Sequence, residues 1–502
     1  MNRTTLSLIG AGGALAVVTG FAALTAPDGS ADDGAAQAAA QRPVERSSVL
    51  CPAPSASELA DTSYVSFTPK SSQGAGKGAA ELVGAADESA DDGKQDKDDK
   101  KAKERADKPV LTAKGTGKPL TQEASGSDAP ALVGSADGAL APGWTVQQTT
   151  TITAGGGRGV HGLACGTPDT DFWFPGASTA KERSDYVHVT NPDETAAVVD
   201  IELYGPQGAI KSEVGEDITV PPHATVRVLL STLTDEPQTN VTAHVTARTG
   251  RVGAAVQAAD EKLGGDWLPA SADPAGSVVL PGIPKDATSV RLVAFAPGED
   301  DADLKVSLAG PNGSITPAGN ETLHVKSGMT AAVDLGDVTK GEAGSLVLTP
   351  TEDAMPVVAA LRVTRGKGAR QEMAFIPATA PVGDRATAAD NRAKGSSLSL
   401  VAPGKTAKVR VTASAGAEGG AAKSQTYTVK GGTTLAVEPP VPAGLKGPYA
   451  LTVEQLSGTV HAARTLELPE DGVPMFTVQT LPDDRGTVAV PEAEQDLSVL
   501  QK

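Results

Sequence analysis

Cys51, Cys165 and His161 are the side chains of this 502-residue chain best suited to chemistry. The H-x-x-x-C spacing of His161 and Cys165 would serve a metal or an activated thiol. Two candidate ligands do not complete a tetrahedral site, however, and a paired cysteine has no thiolate to offer. Two cysteines behind an export signal most simply form one disulfide. The remaining histidines, His188, His223, His244, His324 and His461, lack metal-ligand spacing. Glu299, Asp300, Asp301 and Asp303 crowd together as the tip of an acidic hairpin, without the ligand steps and Gly turn of a calcium loop. No G-x-S-x-G, H-E-x-x-H, P-loop or C-x-x-C pattern occurs, and the 61 acidic residues single out no pair for glycoside cleavage. The expectation is a chain with no catalytic residue, no cofactor and no metal. Three aromatics remain. Trp173, Trp267 and Phe375 sit in the related segments DFWFPGAST, GDWLPASAD and MAFIPATAP, where they either pack adjacent domains or stack on a sugar.

The elements that would position these groups recur. YVHVTNPDETAAVVDIELYGPQG, VRLVAFAPGEDDADLKVSLAGPNG and LSLVAPGKTAKVRVTASAGAEGG place Pro192, Pro297 and Pro403 at 105 and 106 residue steps, and Gly208, Gly313 and Gly419 likewise. A period of that size is a domain. Val199, Ile201 and Leu203 alternate with Asp200 and Glu202, as do Leu304, Val306 and Leu308 with Lys305 and Ser307, the period of a strand with one face on a core and one in water. Val220 and Thr225, Val325 and Thr330, and Val429 and Thr434 then repeat as hairpins across a turn. RVGAAVQ, PVVAALR and TVHAART close the copies, and GVHGLAC closes an earlier fourth copy opened by YVSFTPK. Short strands with frequent Gly and Pro predict an all-β chain of tandem immunoglobulin-like sandwiches. The expected boundaries are 47–180, 181–284, 285–390 and 391–502, with a low-complexity surface insert at about 71–138 in the first.

Arg3 followed by an uncharged apolar run from Leu6 to Ala26 reads as an export signal, either cleaved or kept as an N-terminal anchor, with residues 27–46 as a flexible spacer. A net charge of −18 argues against nucleic acid and anionic lipid as partners.

Cys51–Pro52, the GLAC before DFWFPG and the YVHVTNPDETAAVVDIELYGPQG segment resemble the actinobacterial exported family DUF5719, a domain of unknown function. The resemblance implies an exported or membrane-tethered envelope protein and assigns no functional residues. Repetition without a convergent polar site points to a noncatalytic extracytoplasmic scaffold or binding protein. Its expected partner is an envelope glycan or a membrane protein. The rival readings are a glycan-modifying hydrolase with an interdomain site near Trp173 and Trp267, and an accessory subunit of a membrane glycosyltransferase or transporter.

Overall fold

A computed structural model describes residues 40–70, 76–88, 108–127 and 129–490. The apolar run from Leu6 to Ala26 and most of the spacer lie outside them. Among the described residues the chain is all-β: antiparallel sheets, three short 3-10 turns, and no helix long and apolar enough to cross a membrane. It divides into two units. In the smaller, residues 1–42 and 488–502, the described chain forms a ribbon of the strands Ala40–Pro43 and Thr487–Val490. The larger, Pro43–Thr487, carries everything else.

Within the larger unit the sheets come in pairs, each pair enclosing a core. In the second pair, Asp171–Ala177, Val241–Thr249 and Ala197–Gly205 form one sheet in that order. Gly264–Leu268, Gly253–Asp260, Arg183–Thr190 and Ala224–Leu229 form the other. Val187, Val189, Val199, Ile201, Leu203, Val245 and Val256 meet between them, so the period of two does bury one face of each strand in a shared core. The third pair repeats this order from Val278–Ile283 to Glu372–Pro377, and the fourth from Arg385–Asn391 to Phe476–Thr480. The first does so from Arg46–Cys51 to Gly159–Ala164.

Three sequence expectations shift. The expected hairpins at Val220/Thr225, Val325/Thr330 and Val429/Thr434 are crossings between sheets: Ile218–Val220 pairs with Ala197–Gly205 while Ala224–Leu229 pairs with Arg183–Thr190, and the later copies do the same. The expected insert at 71–138 contains the strands Ala80–Gly84, Leu111–Ala113, Leu120–Ser125 and Leu132–Asp137, and Leu82, Leu111 and Leu132 lie in the first core. Runs of two or three apolar residues between charged stretches suffice for an edge of a sheet. Residues 71–75, 89–107 and 128 of that stretch lie outside the described chain. The closing strands also move by one: Gly159–Ala164 is the last strand of its copy, while TVQQTTTI (Thr145–Ile152) occupies the place that RVGAAVQ and PVVAALR hold in the later copies.

The second faces of these sheets do not meet water near the middle of the unit. Val278–Ile283, Glu372–Pro377 and Gly264–Leu268 are buried at every residue. The cause is a closed cycle. Trp173 and Tyr204 of the second copy pack on Phe295 and Val358 of the third. Val279 and Ala309 of the third pack on Val401 of the fourth, and Ala389 and Ala450 of the fourth on Val65 and Phe67 of the first. The first copy returns to the second through Leu163 against Ala255 and Trp267, and through a parallel pairing of Ala86–Asp87 with Ala224–Thr225. Two of the three repeated threonines serve these junctions through their side chains. Thr330 donates to the Tyr204 carbonyl at 2.7 Å, and Thr434 to the Ala309 carbonyl at 2.7 Å.

Candidate functional site

Each copy is tied shut by one recurring backbone bond. A residue two to four positions beyond the last strand donates its N–H to the opening strand of the same copy: Gly166 to Leu50 (3.1 Å), Ser271 to Trp173 (2.8 Å), Thr379 to Val279 (3.1 Å) and Asp484 to Arg385 (2.7 Å). These four donors line a single cavity of about 1160 Å³, to which all four copies contribute. A disulfide between Cys51 and Cys165, Cα atoms 4.6 Å apart, fixes the first copy at the same place, and Cys165 is part of the wall. The expected cysteine pair therefore joins the opening strand of its copy to the end of the last.

The cavity wall mixes apolar and polar groups and is unbalanced in charge. Glu81, Asp137, Asp169, Asp171, Asp273, Asp483 and Asp484 line it against Arg46, Arg251 and Arg485. Several are engaged: Arg251 pairs with Asp193 at 3.0 Å, and Asp484 with Arg385 at 2.6 Å. Burial pushes the Asp484 carboxyl upward against the pull of Arg385. The Glu81 and Asp273 carboxylates make no hydrogen bond or ion pair among the described residues. Deeper in the wall, Gln479 accepts a hydrogen bond from Arg464 through its oxygen, while its Nε2 has no partner among the described residues. Arg464 is fully buried and also donates to Gln147 Oε1 at 3.1 Å. Desolvation lowers its pKa to about 10.

The last strands of the four copies meet one another around the middle of the cycle and bring together a set of buried polar groups. Arg158 Nε reaches from the first copy to Glu372 Oε1 of the third at 2.8 Å. Asp266 Oδ1 accepts from the Gly162 N–H at 3.0 Å and from Thr477 Oγ1 at 3.2 Å, joining the second copy to the first and fourth. Glycines give these side chains their space. A Cβ on Gly264 would lie 2.7 Å from Glu372 Oε2, and one on Gly265 would lie 2.8 Å from the His161 ring. Gly264 also adopts φ +77°, which glycine reaches without strain. Burial raises Glu372 to about 7, partly offset by Arg158, and holds Asp266 well above the usual carboxylate range. His161 is lowered to about 4 by burial, and its Nε2 lies 2.8 Å from the Gly157 carbonyl. Among the described residues no group of three or more His, Cys, Asp or Glu is arranged to hold a metal ion.

The three aromatics are all buried, at two different kinds of position. Trp173 lies in the opening strand of the second copy, stacked on His244 with centroids 3.5 Å apart and packed on Phe295. His244 in turn lies 3.2 Å from Asp171 and 3.3 Å from Glu202. Trp267 and Phe375 occupy corresponding last strands of the second and third copies. Trp267 packs on Leu163 and meets His188 edge-on at 5.1 Å, and Phe375 joins the second core. The shared aromatic–aliphatic–Pro pattern thus equates Trp267 with Phe375 but not with Trp173. His188, which alternates with Val187 and Val189 along its strand, is buried, because that face meets the first copy. The acidic tip is tied by His324, 2.9 Å from Asp303 and 3.3 Å from Asp301.

Sequence reading missed Asp266, Glu372, Arg464 and Arg158. For Asp266, Glu372 and Arg464 the signal is a charge inside an otherwise uncharged strand of small and apolar residues, GGDWLP, EMAFIP and HAARTL, whereas Arg158 precedes its strand in a glycine-rich turn. Charges of that kind are seldom fully buried unless paired. None of the curated proteins matches the chain. Residues 120–440 match the profile of a family of unknown function, DUF5719, and the chain belongs to that family.

Proposed function

We propose that this protein is a noncatalytic binding scaffold of the actinobacterial cell envelope, displayed outside the membrane, which takes its ligand in the cavity shared by the four copies. The observation that carries this reading is the 1160 Å³ cavity of mixed polarity, lined by the donors of the four closing bonds. That volume lies above the roughly 300–1,000 Å³ of small-molecule sites, which suits part of a polymer. The disulfide supports an oxidising compartment. We read each copy as an immunoglobulin-like sandwich in the broad sense. Its second strand pairs with the fifth and its third with the sixth, as B with E and C with F in that fold, while the first strand adds beside the sixth and the seventh beside the second. The burial of Trp173 and Trp267 weighs against a sugar-cleaving cleft at those rings.

The test is affinity capture of solubilised envelope glycans and proteins on the full chain, with Ala380→Trp as control. Ala380 is exposed at the cavity, so the new ring fills space without entering a core. A ligand retained by the natural chain and lost from the variant supports the reading. Equal retention, or none, overturns it.

A further inference from the structure

The wall of the cavity contains an open strand edge. Arg46–Cys51 has one neighbour in its sheet, Leu132–Asp137. On its other side Leu50 exchanges both backbone bonds with Gly166, and the Val44 N–H is held by the Gly486 carbonyl. Backbone groups of alternate residues in an antiparallel strand point to the same side. Arg46 and Ser48 therefore turn their N–H and C=O groups the way Leu50 does, toward the cavity that both residues line. Among the described residues nothing bonds to those four groups. The two ends of this edge are closed and the middle is open.

We propose that this edge captures an extended, basic polypeptide segment of a partner protein, which adds as a short strand beside Arg46–Ser48. The inference rests on the binding-scaffold reading above and names its ligand class. Donors and acceptors spaced at a strand repeat match the backbone of another polypeptide, the mode of β-augmentation. The excess of seven carboxylates over three guanidiniums on the walls, with Glu81 and Asp273 unpaired among the described residues, selects positive side chains on that segment. Gln479 adds a buried, unpartnered amide donor to the same wall.

The probe is a fluorescein-labelled octapeptide of alternating Lys and Val, titrated into the full chain and read by anisotropy. A Glu-Val octapeptide and a chito-oligosaccharide run beside it. Ser48→Pro removes one outward donor at an edge position that tolerates proline and leaves the ladder to Leu132–Asp137 intact. Saturable binding of the Lys-Val peptide, weakened about tenfold or more by Ser48→Pro at an unchanged melting temperature, supports the proposal. A Lys-Val peptide N-methylated at alternate residues gives the same reading on the natural chain should the variant fold poorly, and it should bind at least as weakly. Binding indifferent to both changes, equal binding of the Glu-Val peptide, or no peptide binding overturns the proposal. If the oligosaccharide alone binds and Ala380→Trp abolishes it, the peptide is wrong and the scaffold reading stands. If neither peptide nor envelope material is retained, both fall.

Discussion

Arg158 and Glu372 belong to copies that are not neighbours in the cycle, yet their side chains meet at 2.8 Å with the carboxylate fully buried. The pair spans the centre, and it ties the first copy to the third without passing through the second.

Its titration is the first prediction. Glu372 is raised from an ordinary 4.5 to about 7, so the folded chain keeps this proton where the unfolded chain has released it. Below about pH 4.5 both states are protonated and the group is neutral in stability. As pH rises from 4.5 to 7 the unfolded state ionises first, and stability falls, by on the order of 3 kcal/mol at most. Glu372→Gln should remove that part of the slope. Urea unfolding of both proteins at pH 5 and pH 8 measures it, and an unchanged difference between the two pH values would contradict the assignment.

His161 should act with the opposite sign. Its folded value near 4 lies below the ordinary 6.5, so the unfolded state takes up the proton first and stability is lost as pH falls from 6.5 toward 4. His161→Gln should flatten the acid limb of the same unfolding experiment. A variant as acid-sensitive as the natural chain would rule this out.

The Cys51–Cys165 bond closes a sequence separation of 114 residues, for which chain entropy predicts about 4 to 5 kcal/mol. Replacing both cysteines by Ser should lower the unfolding midpoint in proportion. Because Cys165 walls the cavity, hydrogen exchange should also rise in Leu50 and Gly166. A midpoint indifferent to reductant would show that the first copy needs no such clamp.

Trp173→Ala separates packing from ligand stacking. Removing a ring enclosed by His244, Tyr204 and Phe295 should cost about 3 to 5 kcal/mol. Were the ring a sugar platform, calorimetry would instead show a near-natural melting temperature and lost glycan affinity.

Thr330→Val and Thr434→Val keep side-chain shape but leave the Tyr204 and Ala309 carbonyls without their donors. Each should cost about 1 to 3 kcal/mol. Thr225 bonds to Thr190 and to the Val189 carbonyl of its own copy instead, so Thr225→Val should leave the junction with the first copy unaffected in hydrogen exchange. Comparable exposure of that junction in all three variants would refute the difference in role.

Much of this architecture was legible. The alternation of Val199, Ile201 and Leu203, the threonine spacing and the cysteine pair each report a local or intrachain constraint, and the structure uses each of them. The cycle was not legible, because closure depends on second faces that read as ordinary half-polar strands. His188 and Thr190 alternate with Val187 and Val189 as solvent-facing residues would, and only the neighbouring copy buries them. Strand assignment in the first copy failed for a related reason. TVQQTTTI has the residues of an exposed strand, yet Gln147 and Gln148 are fully buried, and Gln147 accepts from the Asp390 N–H and Arg464 of the fourth copy. Asp266 and Glu372 come from different copies, so no spacing in the chain relates them.

A linear array of domains can gain or lose a member at either end, since each contacts only its neighbours. Here the fourth copy rests on the first, and no copy is terminal. Number is therefore locked into the geometry of every junction at once. A fifth copy would have to re-aim all four existing interfaces, and deleting one would strand two apolar faces. Descendants of this chain can vary their loops and strand edges freely, but they inherit the count of four.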